Sequence, residues 1–270
     1  MFGIARRSKV AADGVTFWQG ALQDPHILEK ISSMCFDAVV ITLTPDGRDA
    51  SAYKRAYYDN VCCLLALWQK HTPPRLVVFV SSTRVYGQCD GEWVDESSAT
   101  SIADVNAQIL VDSENLLLAS GINVAIIRFS GIYGPGRDYL LRMVSAGQIG
   151  GENYSNRIHI DDCVGTICHV LENAPQENCG EIFLASDSMP VSSRKVRTWL
   201  AAQMGIKLAD VGPDLSVSEG SSLIKNNSPS FSRAGNKRCS NKKLLAAGYQ
   251  FKYPSYITGY KDVVKKYLTS

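Results

Sequence analysis

Hydroxyl groups cluster at the end of one apolar run of this chain, where Leu76-Val77-Val78-Phe79-Val80 continues into Ser81-Ser82-Thr83-Arg84-Val85-Tyr86-Gly87. A hydroxyl in that place can hydrogen-bond a reacting oxygen, because ligands of open α/β sheets bind beyond the carboxyl ends of the strands. It can equally satisfy backbone groups at the strand end. Proton transfer would need a titratable partner. No lysine lies between Lys70 and Lys195, and no tyrosine between Tyr86 and Tyr133. An acid or base near in sequence would therefore be Tyr86, Glu92, Asp95 or Glu96, which also read as a solvated charged loop.

Other segments offer less chemistry. Gly131, Gly134 and Gly136 with Pro135 make a loop in which backbone can approach a ligand or simply turn. His159 with Asp161 and Asp162 lacks a third ligand at metal-site spacing, so no metal is expected. A capping and docking role suits the two aspartates. Arg233, Lys237, Arg238, Lys242 and Lys243 form a local basic cluster that reads as a solvated face, with Lys242 and Lys243 opening a surface helix. Without interleaved aromatics or a known module, nucleic acid is not an expected partner.

With 270 residues, 45% of them apolar, the chain can bury a full core. A formal charge of +2 gives no field that argues for nucleic acid or an anionic membrane. No apolar run reaches the roughly 18 to 20 residues that span a bilayer, and no signal-peptide pattern follows Met1. The expectation is a cytoplasmic protein. Its eight cysteines are scattered without a Cys-x-x-Cys pair and are expected to be buried free thiols.

Short apolar runs alternate with helical periods, the mark of parallel βαβ units. Strands are expected at 15–19, 38–43, 76–81, 124–129 and 182–185. Helices are expected near 25–34, 50–70, 104–119 and 161–172. The Ser/Gly/Asn/Pro-rich stretch 208–236 reads as a long loop.

Four signatures carry a resemblance that covers nearly the whole chain. They are Ser81–Gly87, Arg128–Arg137, Asn156–Asp162 and Ser240–Tyr249. In order and spacing they resemble the extended short-chain dehydrogenase/reductases, and within these an atypical branch of NAD-dependent epimerase/dehydratase-like proteins. The resemblance implies an α/β, doubly wound, Rossmann-type parallel sheet. A dinucleotide domain would occupy 1–185, with 131–157 as a substrate-side insertion, and a smaller substrate-binding region would occupy 186–270. It makes Ser82 the catalytic hydroxyl. It also places Asn106 and Leu110 where that family keeps the Tyr and Lys of its Tyr-x-x-x-Lys dyad, so the usual relay is expected to be missing.

Met1-Phe2-Gly3-Ile4-Ala5-Arg6-Arg7-Ser8 resembles the family's second strand and the turn after it. The first strand and its Gly-rich turn are therefore expected to be missing, as in an N-terminally truncated sheet. Both neighbouring strands would then keep unpaired backbone, unless they close up or another chain supplies a strand. By the same resemblance, Arg6 and Arg7 would favour NADP over NAD through a 2′-phosphate. Leu22, Thr42, Leu43, Ser81, Ser130 and Gly131 would complete the cofactor contacts. Three functions follow: a hydride-transferring oxidoreductase or isomerase acting on a small molecule, with a nucleotide sugar as the candidate; a non-catalytic NADP sensor or scaffold; or an incomplete chain that binds nothing alone. A homodimer through helices 50–70 and 104–119 belongs to the same analogy.

Overall fold

The computed structural model describes residues 1–10, 13–101, 103–173, 180–207 and 235–269. Most of the expected loop 208–236 lies outside the described residues, as do Cys179 and Arg233.

The chain opens with β1 (Phe2–Ala5) and β2 (Thr16–Gln19), which pair in parallel. Pro25 then starts α1 (Pro25–Ser32), as a proline with fixed φ can at a first helical turn. After β3 (Ala38–Ile41), the Asp49 side chain accepts the Ala52 N–H at 2.9 Å and caps α2 (Ala50–Tyr53). A π-helical stretch, Lys54–Asp59, follows before α3 (Asn60–Trp68). One continuous α-helix was the expectation there, and hydrophobic period alone cannot show a one-residue widening of the turn.

The central strand β4 (Leu76–Ser82) runs parallel to β3, with Val40 opposite Val78. A 3₁₀ turn (Thr83–Val85) and β5 (Glu92–Val94) lead to α4 (Val105–Leu118). Next come β6 (Val124–Phe129), β7 (Gly131–Tyr133), α5 (Tyr139–Ser145), β8 (Tyr154–Ser155), β9 (Arg157–His159) and α6 (Ile160–Asn173). The chain ends with β10 (Glu181–Ala185), β11 (Val191–Ser192), α7 (Ser193–Gln203), β12 (Lys237–Cys239), α8 (Lys242–Ala246) and α9 (Tyr256–Thr269).

The main sheet has the order β10-β6-β4-β3, and β1-β2 forms a separate ladder. This is the expected Rossmann-type α/β arrangement. The apolar run of β4 is buried from Leu76 to Phe79, as a strand covered on both faces should be.

Two compact units share the chain. The first comprises Met1–Val85, Ser101–Ile127 and Val170–Ile182. Its core joins Ile27 and Ile31 of α1, Ile41 of β3, Val61 and Leu64 of α3 and Phe79 of β4. The second comprises Tyr86–Thr100, Arg128–His169 and Phe183–Ser270. It packs Tyr133, Leu141, Val196, Leu200, Tyr256 and Tyr260 together. Thiol burial departs from expectation: Cys163 and Cys239 are buried, whereas Cys35, Cys89 and Cys168 are exposed. Short apolar runs around a cysteine do not tell which side of the element it occupies.

Candidate functional site

The expected catalytic positions all fall in the first unit. Ser82 ends β4, and its Oγ accepts the Arg84 N–H at 3.2 Å, a bond that holds the strand exit. Ser81 turns to the other side, and its Oγ donates to the buried Glu114 Oε1 at 2.5 Å. Asn106, Leu110 and Glu114 recur at every fourth position of α4, so they share one face, and all three are buried.

Neither α4 position offers proton chemistry. Asn106 Nδ2 donates to the Arg48 carbonyl at 2.9 Å, and its Oδ1 is buried with no partner among the described residues. Leu110 is 1% exposed and purely apolar. The start of α4 is pinned by Asp104, which accepts Arg84 Nε at 2.6 Å and Nη2 at 3.1 Å and also caps the helix through Asn106 N. Arg84 Nη1 reaches on to the Tyr53 hydroxyl at 3.1 Å. Burial pushes Asp104 upward, but the Arg84 hydrogen bonds and charge outweigh it and hold the carboxyl below its usual range.

The substitute acids and bases, all in the second unit, are committed to structure. Tyr86 is buried and its hydroxyl accepts Arg128 Nη1 at 2.8 Å; burial pushes its pKa up to about 12. Glu96 Oε1 accepts the Leu184 N–H at 2.7 Å, Glu92 accepts the Asp90 N–H, and Asp95 accepts the Ser97 N–H and both the Ser97 and Ser98 hydroxyls. Also in this unit, Ser130 N donates to Ala185 O and Gly131 N to Asn156 O. A Cβ at Gly131 would meet the Asn156 carbonyl at 3.1 Å, so this glycine admits the chain's own backbone.

The expected cofactor residues converge better. A cavity of about 690 Å³ lies against β1 and β3, and Arg6, Leu22, Thr42 and Leu43 all line it. Its size falls within the range of small-molecule sites. Arg7 and Ser81 do not line it. At its rim the Arg6 guanidinium pairs with Asp46, which also feels Arg55 and Arg7. The Arg6 hydrogen bond, above all, holds the Asp46 carboxyl below its usual range. Three guanidinium groups around one carboxylate leave a net positive rim. Arg55, on the π-helical stretch just after α2, was not singled out from the sequence.

These residues suit the adenosine end of a dinucleotide. Arg6–Asp46 is a solvent-exposed, screened ion pair, so a phosphate dianion can compete for the arginine. A pyrophosphate needs a cradle of free backbone N–H groups at a glycine turn. The cavity's glycines do not supply one. A Cβ on Gly3 would strike Phe17 at 2.6 Å and one on Gly20 would strike Ile27 at 2.7 Å, and the Ala21 N–H is already taken by Asp24 at 2.7 Å. The described residues therefore fit the adenosine end of a dinucleotide and supply no glycine-turn cradle for its pyrophosphate, and no chemical step is derived through one.

Among known proteins, the Escherichia coli (strain K12) Protein YeeZ is 32% identical over 139 residues, 50% of this chain and 48% of its own length. The chain thus spans about half the length of the curated relatives it matches. No family model matches. A solved structure from Methylobacillus flagellatus, named as an NAD-dependent epimerase/dehydratase, is 29% identical, with a TM-score of 0.77, over 100% of this chain and 90% of that one. In fold and along its whole length the chain is similar to NAD-dependent epimerase/dehydratase-like proteins. Two more distant structures share the fold. The Bordetella bronchiseptica enzyme WbmG, in complex with NAD and UDP, has a TM-score of 0.76 at 15% identity, over 100% of this chain and 88% of its own. A human epimerase family protein with NADPH has 0.70 at 16% identity, over 97% and 90%. No helix among the described residues is long and apolar enough to cross a membrane.

In this epimerase/dehydratase-like chain the Asn156–Asp162 signature docks the C-terminal segment. Buried Asp162 accepts the Lys252 and Tyr253 N–H groups at 2.8 and 2.9 Å and the Tyr249 hydroxyl at 2.9 Å. The basic cluster is not one solvated face. Lys237 is buried and donates to the Tyr86 carbonyl at 2.6 Å, and Arg238 lies between the Trp93 and Tyr154 rings while donating to Gly91 O. The β12–β5 ladder draws both inward. Lys242 and Lys243 do open the short helix α8.

Proposed function

We propose that this protein binds NADP(H) in preference to NAD(H), through the cavity of the first unit, and performs no Ser–Tyr–Lys hydride chemistry. The convergence of Arg6, Arg55, Leu22, Thr42 and Leu43 on one cavity carries the binding half of this reading. The guanidinium groups would hold a 2′-phosphate, and the apolar wall would hold adenine. Asn106 and Leu110 carry the silent half. They occupy the Tyr and Lys positions of the relay, and neither can hold a proton and release it near neutral pH. Ser82 then keeps the turn rather than polarising a substrate.

In this reading the dinucleotide side belongs to the first unit and the substrate side to the second, with a nucleotide sugar as the small-molecule partner, in keeping with the UDP bound to WbmG. A cytoplasmic location and a homodimer are parts of the same proposal. The test follows NADPH oxidation and NADP reduction spectroscopically with UDP-glucose and UDP-glucuronic acid, for the native chain and for Ser82→Ala. The expected result is no turnover by either protein. Turnover that Ser82→Ala abolishes would overturn the silent reading.

A further inference from the structure

Three strands of the second unit set a ring, a guanidinium and a second ring in one row. Arg238 of β12 stands opposite Trp93 of β5 in their parallel ladder, with its Cζ 5.1 Å from the indole centroid. On its other side lies the Tyr154 ring of β8, at 5.0 Å. Tyr154 is held beside β12 because its N–H donates to Asn236 Oδ1 at 2.9 Å. Arg238 Nε donates to Gly91 O at 2.8 Å, which fixes the guanidinium between the rings. The row ends at Trp93, and that indole is 56% exposed.

The sequence around the exposed indole carries charge of one sign. No lysine or arginine occurs between Arg84 and Arg128, whereas Asp90, Glu92, Asp95 and Glu96 crowd into positions 90–96. Glu96 is taken up by the Leu184 N–H, but Asp90, Glu92 and Asp95 are exposed. The Ser97 hydrogen bond, above all, holds the Asp95 carboxyl below its usual range, so it stays charged. Among the described residues β5 pairs with β12 alone, which leaves its second edge open. Natural edges are commonly blunted by lysine or proline, and β5 reads Glu-Trp-Val with neither.

We propose that this row is a docking surface for a basic, extended segment of a partner protein, which lays an arginine or lysine on the free face of Trp93 and runs along the open edge of β5. Indole is the best aromatic partner for a cation, and Arg238 already occupies one of its faces. A second cation on the other face continues the alternation of charge and ring. Asp90, Glu92 and Asp95 supply the opposite charge that selects this class of partner. An acidic segment or a nucleic-acid backbone would meet like charge instead. β5 has only 3 residues, so main-chain bonds to its edge are few. The side chains therefore carry the selectivity, and the contact belongs with small, transient interfaces that weaken as salt rises. None of these residues lines the cavity of the first unit, so the surface stands apart from the NADP(H) reading.

The experiment titrates the 270-residue chain with a peptide alternating arginine and valine, by calorimetry and by hydrogen exchange. A peptide alternating glutamate and valine, of equal length, is the control. The expected result is saturable 1:1 binding of the arginine peptide alone, with added protection of the Glu92–Val94 amides and affinity that falls with salt. Trp93→Ala should weaken binding about tenfold. Asp90→Asn combined with Glu92→Gln should weaken it about fivefold, with native-like circular dichroism and melting temperature. That double variant keeps the indole and an acceptor for the Asp90 N–H, so it decides the matter even where Trp93→Ala unfolds. Four results would overturn the proposal: no binding, equal binding of the glutamate peptide, unchanged affinity in the double variant, or protection confined to other segments. A β5 already protected in proportion to the concentration of the chain alone would make a second copy the occupant and would overturn it too.

Discussion

Asn106 Nδ2 donates to the main-chain carbonyl of Arg48 at 2.9 Å, tying the first turn of α4 to the segment before α2 across 58 positions. The residue in the expected tyrosine position is thus a strut. Asn106→Ala should leave that carbonyl without its donor and cost about 1–2 kcal/mol in urea denaturation. Asn106→Tyr with Leu110→Lys should not restore a relay. An ammonium at a site 1% exposed loses its hydration, the neighbouring Glu114 is already engaged by Ser81, and the double variant should melt well below the native chain.

The two adjacent serines should separate cleanly. Ser81 donates to a buried carboxylate at 2.5 Å, a charge-assisted bond worth roughly 1.5–3 kcal/mol, so Ser81→Ala should be markedly destabilised. Ser82 accepts one backbone N–H at 3.2 Å, and Ser82→Ala should cost under about 1 kcal/mol. Equal losses in chemical denaturation would argue against these roles.

Stability should depend on pH through Asp187. It is 1% exposed, its Oδ2 has no partner among the described residues, and burial foremost raises its pKa to about 7. A carboxyl raised on folding binds its proton more tightly in the folded state. Its contribution is fully present below the unfolded value near 3.9 and is lost as pH rises through about 7. Denaturant midpoints should therefore fall between about pH 4 and pH 7 from this group, and Asp187→Asn should remove that dependence, by roughly 2–4 kcal/mol across the range.

Gly259→Ala should be severely destabilising despite the better helix propensity of alanine. A Cβ there would lie 1.8 Å from the Tyr133 hydroxyl, whose ring stacks on Tyr260 at 4.2 Å. Moving Tyr133 disturbs the core of the second unit, at a cost of about 1–3 kcal/mol or more. Tyr133→Phe in the same background should recover part of the loss in thermal melts.

The sheet was legible because β4 and β6 are unbroken apolar runs; β6 occupies 124–129 as read, and β4 extends one residue past its expected end. That Arg6, Leu22, Thr42 and Leu43 share a cavity was suggested only by the family resemblance, since they come from three separate segments that the fold brings together. Arg55 was hidden by a helical period that looks continuous through the π-helical stretch. Lys237 and Arg238 were read as solvated because burial of a cation depends on a carbonyl or ring contributed from far along the chain, here Tyr86 and Trp93.

Arg55 supplies a check on the rim. Arg55→Ala should reduce the preference for NADPH over NADH by about tenfold, the loss of roughly 1.4 kcal/mol of interaction with a 2′-phosphate, while affinity for NADH changes little. Equal loss for both nucleotides would place the arginine elsewhere on the ligand or outside the site.

The most direct measurement is a calorimetric titration of the 270-residue chain with NADPH, and with NADH as comparison. Saturable binding of NADPH at least tenfold tighter than NADH, lost in Arg6→Ala, is the expected result. Equal affinity for the two nucleotides, or no binding by a folded sample, would contradict the assignment of the cavity to NADP(H).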